Sequence, residues 1–597
     1  MGTFTARPVV YGRRGVVTSG HYLATGAGLR ILEQGGNAID AAAAMCFCLN
    51  LLEPQFNGLG GEVPVLIYSA KERKCFAVCG LGWSPSALTI SYCRDQGLDL
   101  LPYDGYLPAT TPAVVDTWAV ALSRFGSMRF SQILQPAIEL AEGGYPVHPE
   151  LHQFLQASAR RIAERYPTTA RIYYPGGQVP ATGELLRNPD WANTLRRLCA
   201  AEEAASARGR AAGLAAARDL FYTGEIAERI VSFVSTSPVV DVTGVARRAL
   251  LSYEDLAEWH ATIEEPLTFT YRGLDVHKCS SWTQGPVFLQ QLALLEGFDL
   301  RAMGHNSPEY LHVLIECAKL AFADREAYYG DPLFDAVPLD VLLSKEYAAR
   351  RRVLVGPEAS TEQRPGDLGQ GVPSYVLQEV QANNQQALGI TGQRPQIARL
   401  AYLGDTTHLD AVDRAGNMVA ATPSGGWIGS SPVIEGLGFP LGTRGQMFYL
   451  NPDRPNALAP HKRPRATLTP SLVTRGGEPL LAFGTPGGDS QDQWTLQFFL
   501  NHVEFGMDLQ QALEAPTVHS LHCATSFYPR TASPGLMEAE GRIPREVLTA
   551  LERRGHTVQV VEPWINGKAT AVRIDKARGV LLGGASPRYQ IGYAMGW

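Results

Sequence analysis

At 597 residues, with 45% hydrophobic and 18% charged positions and a formal net charge of −6, the chain has enough apolar material for one large compact α/β body. No Lys/Arg-rich stripe runs through it, so nucleic acid is not an expected partner. Its 60 glycines and 40 prolines are dispersed and without period, which marks many turns rather than disorder.

Residues 16–52 read as a strand, a helix through Ala24–Gln34, a Gly35-Gly36 break and an alanine-rich helix from Asp40, capped by Asn37 or Asp40. The strongest apolar run, Ala41–Leu52, is too short for a membrane span and suits a buried helix. No signal-peptide core precedes it, and Met1-Gly2 is followed by Ala6 where a myristoylation signal needs Ser or Thr. The turn Asn57-Gly58-Leu59-Gly60-Gly61 leads into a strand, Val63–Tyr68. It lacks the Lys-Ser/Thr of a P-loop, so it is not a phosphate loop. From about 113 to 350 the helical period dominates, as in Pro136–Gly143, Ile226–Ser235 and Pro308–Tyr329. Ala200–Ala217, rich in Ala, Arg and Glu, is expected to be an exposed helical insertion. Residues 355–400 lose periodicity and gain Gly, Pro, Gln and Asn, the composition of a linker or mobile loop. Strands then follow at Ala401–His408, Met418–Thr422, Ser471–Val473, Leu480–Phe483, Thr557–Val561, Ala569–Ile574 and Val580–Leu582. The 9 cysteines are odd in number and scattered, which fits reduced thiols in a cytoplasmic protein better than disulfides or a zinc site.

The most informative stretch is Asp405-Thr406-Thr407-His408. A threonine hydroxyl is a poor nucleophile until the peptide bond before it is cut and its freed α-amine serves as general base. Thr407, Leu409 and Ala411 alternate on one face, a turn follows at Asp413–Asn417, and Met418–Thr422 returns. That hairpin would hold Thr406 at the start of a rigid strand. The same residues also fit a surface hairpin with a Thr-rich edge.

Along nearly its whole length the chain resembles the γ-glutamyltranspeptidases of the N-terminal-nucleophile hydrolase superfamily. The matching residues are Gly35-Gly36-Asn37-Ala38-Ile39-Asp40-Ala41-Ala42, Glu53-Pro54 through Gly58-Leu59-Gly60-Gly61, Thr111-Pro112, Phe221–Ala227 and Glu254-Asp255-Leu256. Further on come Gly285-Pro286, Ala321–Arg325, Thr406-Thr407-His408, Lys462-Arg463-Pro464 and Gly484–Gly488. The resemblance implies a four-layer αββα sandwich and self-cleavage between Asp405 and Thr406. A large chain, 1–405, and a small chain, 406–597, would stay associated. It also implies that Thr406 is the nucleophile, that Ser424 stands for the family's second threonine, and that Gly487 and Gly488 supply oxyanion-hole N–H groups.

The expected substrate pocket departs from the family. Leu81 stands where typical members carry a carboxylate-binding arginine, and Tyr449, after Gln446, stands where they carry an amine-binding aspartate. The family's Ser-Ser pair is replaced by Ala466-Thr467 behind Arg465. That arginine would either supply a cation to a substrate carboxylate or form an internal salt bridge. The Pro-rich Asn451–Ala459 matches the family's pocket lid and is short, which favours hydrolysis over transfer. The expectation is thus a self-processed, cytoplasmic enzyme without metal or organic cofactor, acting on a small-molecule amide and able to form a homodimer. The first reading is a γ-glutamyl hydrolase/transferase. The alternative is an acylase on a carboxylate-bearing amide without an α-amine, of glutaryl type or a small oxo-acid amide. A processed but inactive scaffold is disfavoured, because Thr406, Ser424, Gly487 and Gly488 are all present.

Overall fold

A computed structural model describes residues 4–369, 371–373, 375 and 406–597. Two seven-stranded sheets form its centre. One runs Tyr593–Gly596, Gly15–Ser19, Leu409–Asp413, Met418–Ala421, Val65–Ser69, Lys74–Cys79, Thr262–Glu264. The other runs Val10–Gly12, Val580–Ala585, Thr570–Asp575, Glu478–Gly484, Ser471–Arg475, Leu274–Lys278, Leu267–Tyr271. Every pairing within the two sheets is antiparallel.

Strand alternation sorts side chains into the layers. Leu409, Ala411, Val419 and Ala421 join a core shared with the helices Tyr22–Glu33, Ala38–Leu52 and Val114–Phe125. Their neighbours Val412, Met418 and Ala420 instead fill the core between the sheets, with Leu66, Ala482 and Val572. The outer face of the second sheet buries Val276, Phe483 and Ala571 against the helices Gly285–Leu295, Pro308–Tyr328 and Gln491–Val503. Strands covered on both faces read as continuous apolar runs, which is why these do. The result is the αββα sandwich the resemblance implied.

Local predictions mostly hold. Asn37 caps Ala38–Leu52 through a full capping box with Asp40, and the hairpin pairs Leu409 with Ala421 and Val412 with Met418. Ala200–Ala217 requires a correction, because it is not an exposed insertion. It spans the helices Pro189–Ala205 and Arg210–Tyr222, whose Leu214 and Ala217 enter the main core. Glu202 turns inward and accepts the N–H groups of Phe130 and Ser131 at 2.6 and 2.7 Å, satisfying the start of the next helix. Small side chains there permit close helix packing: a Cβ on Gly213 would lie 2.9 Å from the Glu202 side chain. The expected linker also needs correcting at its start. Residues 355–369 pack on the helix Pro308–Tyr328, with the Gly366 N–H on Asp324 at 2.7 Å and Arg364 on Glu316 at 2.9 Å. The rest of that stretch, residues 376–400, and the start of the expected Ala401–His408 strand, with Asp405, lie outside the described residues. A small third sheet of Val518–Ser520, Leu536–Glu540 and Thr557–Val561 was not anticipated as a separate unit.

Candidate active site

Thr406 lies just before the strand Leu409–Asp413, in an antiparallel bridge with Ser424. That strand is flanked on both sides, by Gly15–Ser19 and by Met418–Ala421, so its start is held rigidly. Thr406 and Ser424 are both fully buried, with Oγ1 and Oγ 3.1 Å apart. The next residue, Thr407, meets the Tyr589 hydroxyl at 3.2 Å. Beside it burial pushes the Glu53 carboxyl up to about 8, with only a partial offset from the Thr407 hydroxyl. His408 engages the Thr422 hydroxyl and Asp410 Oδ1, each at 2.9 Å. Asp410 Oδ2 also accepts from Thr18 at 2.9 Å and from Thr570 of the opposite sheet at 2.8 Å. This His–Asp pair therefore ties the two sheets together beneath the strand, with both ring nitrogens occupied.

The support behind Ser424 was not foreseen. Arg444, fully buried in a short 3-10 turn, donates from Nη2 to Ser424 Oγ at 2.6 Å and from Nε to Glu62 Oε1 at 2.5 Å. Its guanidinium carbon sits 4.8 Å from the centre of the Trp427 ring. Glu62 and Ser424 exchange backbone hydrogen bonds, each 2.9 Å. The glycine-rich turn before Glu62 makes this approach feasible, since a Cβ on Gly61 would fall 2.1 Å from the Ser424 carbonyl oxygen. Gly425, at φ +70°, leaves space for the Glu62 carboxylate, whose Oε2 would lie 2.3 Å from a Cβ there.

Gly487 and Gly488 adopt φ of +123° and +52° in the turn that opens the helix Gln491–Val503. A Cβ on Gly487 would stand 2.2 Å from the Trp494 ring, so both conformation and space demand glycine. Backbone N–H groups at a helix N-terminus favour developing negative charge nearby. Arg325 fixes this turn: it pairs with Asp489, donates to Gln284 Oε1 at 2.8 Å and holds the Ala524 carbonyl at 3.0 Å. Gln284 in turn donates to the Gly488 carbonyl at 3.3 Å. Asp489 also accepts from Ser526 Oγ at 2.6 Å. Burial opposes its ionisation, yet Arg325 and Ser526 outweigh that and hold the carboxyl below its ordinary range.

The expected specificity residues behave differently. Leu81 is not a pocket residue: it is fully buried between the sheets with Cys79, Trp282 and Ala466. Arg465 takes the internal alternative, with Nη2 2.7 Å from Glu326 Oε1 and Nη1 2.9 Å from the Arg325 carbonyl oxygen. The Tyr449 hydroxyl is spent on the same carboxylate, donating to Glu326 Oε2 at 2.5 Å. Burial resists ionisation of Glu326, but Arg465, Arg325 and Arg454 together hold it far below the usual range. Gln446 is buried and its Oε1 lies 3.4 Å from the Tyr528 N–H, while Thr467 is buried with no hydrogen-bond partner for its hydroxyl among the described residues. The Asn451–Ala459 segment folds down onto this cluster, with Asn456 Nδ2 2.6 Å from the Met447 carbonyl and Arg454 3.7 Å from the Tyr449 ring centre. A cavity of about 890 Å³ opens beside the Gly487-Gly488 turn, walled by Gly487, Gly488, Arg325, Trp494, Phe527 and the Glu150–Lys568 pair. Thr406 and Ser424 are not part of that wall.

Sequence reasoning thus singled out Thr406, Ser424 and the glycine turn but not Glu62, Gln284, Arg325, Arg444 and Asp489, which the structure places around them. Arg325 and the turn leading to Glu62 sat within recognised motifs, a signal that could have found them. The Gamma-glutamyltranspeptidase family matches residues 24–597. Among relatives, the glutathione hydrolase-like YwrD proenzyme of Bacillus subtilis (strain 168) is 30% identical over 588 residues, covering 97% of this chain and 98% of its own. The solved structure of LmbA2991HD aligns over 100% of both chains with a TM-score of 0.92 and 44% identity. The cephalosporin acylase from Bacillus halodurans aligns over 100% of this chain and 98% of its own, with a TM-score of 0.83 and 30% identity.

Proposed function

The chain belongs to the γ-glutamyltranspeptidase family of hydrolase and transferase enzymes, and from that premise we propose that Thr406 is its nucleophile, freed by self-cleavage of the Asp405–Thr406 bond. The observation that carries the reading is the 3.1 Å approach of the Thr406 and Ser424 hydroxyls at the start of a locked central strand. In the mature enzyme the Thr406 α-amine takes the Oγ1 proton as Oγ1 bonds to the substrate carbonyl carbon. The carbonyl oxygen becomes an oxyanion received by the N–H groups of Gly487 and Gly488. Collapse breaks the C–N bond, the departing amine takes the proton from the ammonium, and water or an acceptor amine resolves the acyl-threonine. Cleavage of the precursor uses the same oxygen on its own preceding carbonyl. Two bands on a denaturing gel, with a small chain beginning Thr-Thr-His-Leu-Asp, test the reading. Thr406→Ala is expected to remain one chain without turnover, and processing of that variant at the same bond would sink the assignment.

On substrate, γ-glutamyl amides are the first reading, from the family. A second reading has a specific observation behind it: Tyr449 and Arg465 are both committed to Glu326, and Leu81 belongs to the inter-sheet core. Those positions therefore offer no anion to an α-amine, which favours amides of a carboxylic or small oxo-acid that lack one. Comparing kcat/KM for γ-glutamyl and glutaryl p-nitroanilide decides between them, and a strong γ-glutamyl preference removes the second. The 9 cysteines are all unpaired, which supports a reducing, cytoplasmic setting.

A further inference from the structure

We infer that Arg444, held in place by Glu62, is a positioning residue that strengthens the Ser424 hydroxyl as a donor to Thr406 and sets the protonation of the nucleophile's own base. The inference rests on Thr406 as nucleophile, which Thr406→Ala tests separately.

A guanidinium only donates and stays charged, so at 2.6 Å the Ser424 oxygen accepts from Arg444 Nη2. Thr406 Oγ1 lies 3.1 Å from that oxygen, within reach of the Ser424 hydroxyl hydrogen. A charge-assisted bond on its oxygen makes that hydroxyl a stronger donor. Thr406 Oγ1 carries negative charge each time the acyl bond to it breaks, and Ser424 then stabilises it with the arginine behind.

The charge acts a second way. A cation two hydrogen bonds from Oγ1 disfavours the ammonium form of the Thr406 amine, so the base is available at lower pH. Glu62, 2.5 Å from Arg444, moderates that effect. Its position depends on glycine on both sides: a Cβ on Gly61 would meet the Ser424 carbonyl oxygen, and one on Gly425, at φ +70°, would meet the Glu62 carboxylate itself. Trp427 stacked on the guanidinium and the complete burial of Arg444 keep the pair dry, where charge effects are largest. The other titratable groups near the strand start are Glu53, Glu150, Lys568 and Tyr589 on the Thr407 side, and His408 with Asp410 on the strand itself. They stay constant among variants at Arg444 and Glu62.

The test is the pH profile of kcat/KM on purified, processed enzyme with γ-glutamyl and glutaryl p-nitroanilide. Arg444→Met is expected to lower kcat about 10²-fold with KM within about threefold, and to move the acid limb up by about one pH unit. Glu62→Gln leaves the cation unmoderated and should move the limb down. Arg444→Lys keeps the charge without the fork, so the limb should stay while kcat falls about tenfold. Limbs unmoved in all three, or losses confined to KM, overturn the inference. If Arg444→Met fails to fold or process, Arg444→Lys decides alone: full wild-type kcat in it overturns the inference, and a lowered kcat with the limb in place supports it.

Discussion

Arg444 and Arg325 are both completely buried, and both lie within one residue contact of the proposed chemistry, yet they are employed in opposite ways. Arg444 has one carboxylate and one hydroxyl to serve, and the hydroxyl touches Thr406. Arg325 serves Asp489, Glu326, Gln284 and a carbonyl, so its directional capacity goes into holding the Gly487-Gly488 turn against the loop at Ala524–Ser526. The first arrangement adjusts an atom, whereas the second holds a backbone in place. A buried guanidinium with a single acid partner keeps electrostatic influence to exert, and one shared between two acids has little left.

The comparison can be broken most directly at Arg325. Arg325→Met leaves Glu326 and Asp489 buried with one fewer cation, and should cost about 3–5 kcal/mol of stability together with most activity. Chemical denaturation measures it, and a loss no larger than that of a surface substitution would mean the arginine is not structural. Next in size, Gly487→Val forces a side chain into Trp494 and an unfavourable φ. It should lower kcat about 10²–10³-fold, roughly 2.7–4 kcal/mol of barrier, with KM little changed. Turnover near wild type would reduce the turn to a connector. Tyr449→Phe sharpens the distinction between pocket and scaffold. Losing a hydrogen bond to an ionised carboxylate should cost about 1.5–3 kcal/mol of stability while leaving the γ-glutamyl to glutaryl ratio unchanged; a changed ratio would return Tyr449 to the pocket.

The smallest effect, taken per pH unit, concerns Glu53. Its folded pKa is raised to about 8, so the folded state holds a proton that the unfolded chain releases near pH 4–5. Stability from this group is fully present below that range and declines, by at most about 1.4 kcal/mol per pH unit, until pH 8 is passed. Glu53→Gln should flatten that slope in thermal melts, and an unaltered slope would show that Glu53 is ionised in the folded protein.

The distance between partners explains what was readable in advance. The hairpin around Thr406, the Asn37 cap and the glycine turn are set by residues within a few positions of each other, so periodicity and turn chemistry reveal them. Arg444 and Glu62 are 382 positions apart, and Arg325 and Asp489 are 164 apart. No local pattern encodes such pairs; they exist only once both sheets have formed. Leu81 and Tyr449 illustrate the converse. Both were expected in the substrate pocket from a family pattern, but Leu81 lies in the core between the sheets and the Tyr449 hydroxyl is bonded to Glu326. Ala200–Ala217 was misplaced because small and charged residues signal both solvent exposure and tight helix contact, and only the inward Glu202 separates the two.

The strand order carries a consequence for the life of the molecule after cutting. In one sheet, segments from before residue 405 flank a central block from after it; in the other, the two sources alternate, with Gly15–Ser19 between Tyr593–Gly596 and Leu409–Asp413. Severing the chain at Asp405–Thr406 would therefore yield two polypeptides woven through each other, neither holding all the strands of either seven-stranded sheet. Before the cut, renaturation is a first-order search by one chain. Afterwards it becomes a meeting of two molecules, dependent on dilution, and neither half made alone is expected to fold. Maturation would turn a protein that can be unfolded and recovered into one whose assembly happens once.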